Sequence, residues 1–168
     1  MTLVAPEGID PADLPLEEHV EVVRMQSFAF DGRLGELQEW PVAVGIDTAT
    51  WASAVLVVIV HQINAWASDA TLDVAVDTIA LDPQDPKQVF AGTTVASVAL
   101  STSTPAGTSH LASFAPPWGN QIRVVLRPLQ RAVEATGEQR CTLTIRLLGR
   151  RQGQIGAPRV LERRSHDR

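Results

Sequence analysis

Tyrosine is absent from this chain, cysteine occurs once, and aromatic residues make up only 5% of it, as four Trp and four Phe. With so few large rings the core must be built from Val, Leu, Ile and Ala, a palette that favours sheet because β-branched side chains pack well on a pleated surface. The lone Cys141 excludes an intrachain disulfide and cannot complete a thiolate metal site. Within Cys141-Thr-Leu-Thr-Ile-Arg-Leu147 it reads as a small buried strand residue. No apolar run approaches the ~20 residues of a membrane-spanning helix, so no membrane association is expected. Pro6, Asp10, Pro11 and Asp13 stand where a secretory signal would carry a basic start and an apolar core, so no export is expected either.

Chemistry-bearing motifs are equally scarce. His19, His61, His110 and His166 fall on separate segments with no metal-ligand spacing. GxSxG, GxGxxG and Walker patterns are missing, which leaves no nucleophile elbow and no phosphate cradle. Asp82 and Asp85 share a loop, but two carboxylates fall far short of the ~6–8 oxygens calcium takes. His61 reads as a satisfied or solvent-facing histidine. The expectation is a protein that is not an enzyme and carries no cofactor or metal.

What is present is apolar strand pattern. The 168 residues, 45% of them apolar, suit one domain with a real core. Ala54-Val-Leu-Val-Val-Ile-Val60 is a continuous run rich in β-branched residues, as in a strand covered on both faces. Thr71-Leu-Asp-Val-Ala-Val-Asp-Thr-Ile79 alternates, placing Leu72, Val74 and Val76 on one face and Asp73, Ala75 and Asp77 on the other, as in a half-exposed strand. Further strands are expected over residues 19–30, 95–100, 109–114, 121–127 and 140–147, with Ile122, Val124, Leu126, Cys141, Leu143, Ile145 and Leu147 inward. Residues 34–44 are ambiguous, and Pro41 confines any strand there to an edge or a strand start. Residues 129–135 suit either a helical turn or a long hairpin loop. Seven or eight short strands punctuated by turn signals indicate an all-β fold, an antiparallel β-sandwich for which jelly-roll topology is one natural connection.

Charge divides the chain further. Residues 1–39 hold nine acids against Arg24 and Arg33, while residues 150–168 hold six Arg against Glu162 and Asp167. The expected organisation is an extended N-terminal arm over 1–18, a β-sandwich domain over 19–149 and a basic C-terminal tail over 150–168. Leu3, Val4, Ile9, Leu14 and Leu16 in the arm, with Arg163 and Arg164 in the tail, are candidate interaction residues, since an acidic head and a basic tail let one copy meet another. The tail has no interleaved aromatics and the net charge is −5, so direct nucleic acid binding is not expected. Val125 and Leu148, apolar at outward positions, suit subunit contact. Trp51, Trp66 and Trp118 fall at strand ends or loops. They would serve as platforms for sugar rings beside Asn64 and Asn120, or cap the core or a subunit contact.

The order of an extended arm, Trp51-Ala-Ser-Ala-Val-Leu-Val-Val-Ile-Val60, Leu72-Asp-Val-Ala-Val76, the Asp82-Pro-Gln-Asp-Pro86 loop with Phe90, and Leu143-Thr-Ile-Arg-Leu-Leu-Gly-Arg150 resembles small β-sandwich accessory proteins of tailed-bacteriophage heads. The resemblance is one of pattern over residues 45–150, and no motif carries site residues across. It implies a head decoration or cement protein, made in the host cytoplasm, that binds the major capsid protein on the virion surface as a homo-oligomer, often a trimer. A carbohydrate-binding module using loop tryptophans and a phage tail or baseplate component are the alternatives.

Overall fold

In a computed structural model, residues 17–30, 38–64, 66, 69–81, 84, 89–129 and 139–151 are described. They form eight antiparallel strands: β1 (Glu17–Phe30), β2 (Trp40–Asp47), β3 (Trp51–Asn64), β4 (Thr71–Leu81), β5 (Val89–Ser101), β6 (Thr108–Phe114), β7 (Gln121–Leu129) and β8 (Gln139–Arg151). Two four-stranded sheets result, in the orders β1-β8-β3-β6 and β2-β7-β4-β5. The first half of the chain pairs with the second in mirror order, β1 with β8, β2 with β7, β3 with β6 and β4 with β5. This is one long antiparallel ribbon rolled up until β3 meets β8 and β4 meets β7. The expected β-sandwich is therefore present, with jelly-roll strand order.

Alternation explains the core. Leu56, Val58 and Val60 of β3 and Leu143, Ile145 and Leu147 of β8 are fully buried and pack toward Leu72, Val74 and Val76 of β4 and Ile122, Val124 and Leu126 of β7. Cys141 is buried among them, and burial pushes its thiol up to about 12. Rings close the ends of the layer. Trp51 is 1% exposed and lies against Gly149, where an added Cβ would stand 2.2 Å from the indole, so only glycine fits. Phe114 and Trp118 meet edge to face at 5.3 Å, as do Phe30 and Trp40 at 5.6 Å.

Pro41 lies in β2, an edge strand, as the missing N–H requires. Three of the four edge strands, β1, β2 and β5, carry register shifts, which twist an edge away from further pairing, whereas β6 pairs with β3 in unbroken register. Met25, at φ 44, marks the irregularity in β1, where its N–H donates to Thr144 Oγ1 at 3.0 Å.

Three expectations need correction. β3 is not covered on both faces: Val55, Val57 and Ile59 are only partly buried. β4 is not half-exposed, since Ala75 and Asp77 are buried along with its inward residues. Val125, expected outward for subunit contact, is fully buried opposite Ala75. β1 also begins at Glu17 and β8 runs to Arg151, so the strands reach past the expected limits of the sandwich. The 129–135 segment, beyond Leu129, lies outside the described residues.

Candidate functional site

The two outer faces differ in kind. On the β2-β7-β4-β5 sheet, register sets Asp77 of β4 opposite Arg123 of β7 and opposite Thr94 of β5. Arg123 donates from Nε and Nη2 to Asp77 Oδ2 at 3.1 and 3.0 Å, and its Nη2 also reaches Glu39 Oε2 at 3.1 Å. Arg127 donates from Nε to Glu39 Oε1 at 3.0 Å and from Nη2 to Asp77 Oδ2, while Thr94 Oγ1 donates to Asp77 Oδ1 at 2.7 Å. The Asp77 side chain is only 1% exposed. Burial pushes its carboxyl up, but hydrogen bonds from Arg127, Thr94 and Arg123 outweigh that and hold it below the ordinary range. Hydrogen bonding from Arg127 likewise holds Glu39 low, and Asp77 and Glu39 hold Arg127 protonated against the opposing effect of burial. The donors and acceptors satisfy one another, so this constellation clasps the sheet across its strands.

The outer face of the β1-β8-β3-β6 sheet carries an apolar patch. Register places Val55 between Leu148 of β8 and Ser113 of β6, and Val57 between Arg146 and Leu111. Val55, Val57 and Leu148 are half-buried, and Leu111 is 68% exposed. A shallow groove of about 590 Å³ crosses this face, lined by Ser53, Val55, Leu111, Ser113, Ala115, Leu148 and Arg150 among others. Charges flank it on the same face: Arg150 lines it, and Arg146, in register with Val57, pairs with Glu21 at 3.5 Å. Farther along the face, His61 Nε2 and Thr144 Oγ1 share a hydrogen bond of 2.9 Å. A second groove, of about 410 Å³, runs between edges β1 and β2 beside Phe28, Phe30 and Trp40. Among the described residues no three His, Cys, Asp or Glu side chains are grouped so as to hold a metal ion.

Of the residues singled out from sequence, Trp51 and Trp118 are 1% and 3% exposed, so neither can offer a face to a sugar ring or to another subunit. Of the alternatives open from sequence, their burial fits the capping of the core: an indole at a strand end in a chain poor in aromatics is drawn inward, where it buries the most apolar area. Trp66 is half-buried, packs on the core and donates its Nε1–H to Arg140 O at 3.0 Å. Leu3, Val4, Ile9, Leu14, Leu16, Arg163 and Arg164 lie outside the described residues. Sequence reasoning passed over the exposed Trp40 (45%), Leu111 and the Asp77 clasp.

No family model matches this chain. No curated protein matches it. Solved structures do. The VP2 subviral particle of infectious bursal disease virus aligns over 86% of this chain and 37% of its own at 17% identity, with a TM-score of 0.51. T=1 particles derived from the same virus align over 86% and 35% at 16% identity, with a TM-score of 0.52. The T13 viral particle aligns over 88% and 36% at 16% identity, with a TM-score of 0.51. The likeness is one of fold, and the chain spans little more than a third of those capsid chains.

Proposed function

We propose that this protein is a non-enzymatic structural subunit of a virion, holding a shell together through contacts with copies of itself and with a larger capsid surface. The observation that carries the reading is the apolar, partly open outer face around Leu111, Val55 and Val57 on an otherwise tightly packed jelly roll. An exposed apolar patch rimmed by charges marks an interaction surface. The fold supports the reading because the structures it resembles are those of viral particles. The ion pairs of the opposite face are consumed internally, so that face stiffens the body while the other grips.

Within this reading the chain decorates and cements a bacteriophage head, bound to the major capsid protein, as a homo-oligomer such as a trimer. Repetition on a lattice then turns weak single contacts into firm attachment. The test is to express the chain alone and with the products of its neighbouring genes and to sediment the mixtures through a density gradient. The chain should travel with capsid-sized particles, and removal of residues 1–16 should weaken its incorporation while the sandwich stays folded. Sedimentation with tail assemblies would assign it to a tail or baseplate instead, and free chain in every mixture would refute a virion role.

A further inference from the structure

We infer that the groove across β8, β3 and β6 receives residues 1–16 of a second copy of this chain, two copies exchanging these segments reciprocally. This rests on the reading of the protein as a self-associating subunit and names the surface by which one copy holds another.

The chemistry of groove and segment is complementary. Val55, Leu111 and Leu148 form its apolar lining, and Arg150 is the charged residue among the described ones that line it. The sequence of residues 1–16 alternates apolar Leu3, Val4, Ile9, Leu14 and Leu16 with the acids Glu7, Asp10 and Asp13, and contains no Lys or Arg. Such a segment sets apolar side chains on the apolar floor and carboxylates toward the guanidinium, while its backbone needs no sequence-specific partner.

Position agrees with chemistry. Glu17, the first residue of β1, is in register with Arg150, and Arg150 is in register with Ser53 across the next ladder. The chain therefore joins the sheet at the end where the groove lies. Three strand spacings separate β1 from β6, about 14 Å, whereas sixteen extended residues span about 55 Å. Direction decides between the chain's own groove and another's. Pro15 biases Leu14 toward an extended conformation, which favours an approach to β1 from beyond the end of the sheet over a reversal across its own face. A neighbour related by a two-fold axis near that end offers its groove in line with the segment, and two-fold symmetry makes the exchange mutual.

The sole native cysteine is buried with its thiol pushed up to about 12, so it stays silent in mild oxidation. Full-length Ile9→Cys and Leu111→Cys chains, one of them isotopically heavy, are mixed, oxidised and weighed intact. Disulfide dimers joining the two kinds of chain should exceed like-with-like dimers roughly tenfold, as the high effective concentration of a docked pair demands. Leu111→Cys chains joined mainly to each other would mean that the faces pack directly, overturning the inference. So would a bond closing within the monomer of an Ile9→Cys/Leu111→Cys chain, and so would no bond at all. Because the assay uses the pure chain, cross-linking without particle incorporation would refute the virion role alone, and incorporation without cross-linking would refute the docking alone.

Discussion

The outer face of the β1-β8-β3-β6 sheet carries a half-open apolar patch, whereas that of the β2-β7-β4-β5 sheet is charged and shut at its centre. In the second, Asp77 is buried with two guanidinium groups and a threonine hydroxyl around it, so its charge is answered entirely within the chain. In the first, Leu111 of edge strand β6 is 68% exposed although it lies opposite Val57 and shares a groove with Val55 and Leu148. The contrast teaches that polarity does not decide which face meets a partner. A charged face can be self-sufficient, and an apolar one can be the unfinished side.

The sharpest way to break this contrast is to remove the clasp. Asp77→Ala leaves Arg123 and Arg127 without their buried carboxylate and should cost about 3–5 kcal/mol in urea unfolding. Val57→Ala on the open face should cost far less, and equal losses would erase the distinction. Next in size, Gly149→Ala drives a methyl into the Trp51 ring and should cost about 1–3 kcal/mol, showing that the open sheet is as tight inside as the closed one.

Acid sharpens the contrast further. Asp77 and Glu39 are held below their ordinary values, so the unfolded chain takes up protons more readily than the folded one. Their contribution is complete above the ordinary carboxylate range and is lost as pH falls below about 4. Urea midpoints measured from pH 7 down to pH 3 should therefore fall more steeply in the wild type than in Asp77→Asn, and parallel curves would contradict the clasp.

How far the sequence revealed these faces can be judged residue by residue. Strand positions and inward residues were legible because the two-residue period is local: Leu143, Ile145 and Leu147 announce their face without any knowledge of neighbours. Pro41 announced an edge for the same reason. The burial of outer faces was not legible, because it depends on which strand lies alongside. Asp73 and Asp77 are four apart on β4, and Arg123 and Arg127 four apart on β7, so each pair points to one side. Only the pairing that sets Asp77 against Arg123 and Asp73 against Arg127 turns the two spacings into a clasp. The run from Ala54 to Val60 misled in the opposite sense. Full apolarity suggested cover on both faces, yet the chain supplies it on one, leaving Val55, Val57 and Ile59 partly open. Sequence leaves the tryptophans open between platform and core cap, because a strand end can turn either way; Trp51 turns inward over Gly149.

The smallest effect on stability bears most on function. Leu111→Arg replaces an exposed side chain and should leave the urea midpoint within about 0.5 kcal/mol of wild type. Sedimentation equilibrium of the full chain and of this variant across a concentration series tests the account most directly. The wild type should assemble into higher-mass species while Leu111→Arg stays monomeric and folded; identical association of the two would show that the open apolar face is not what holds copies together.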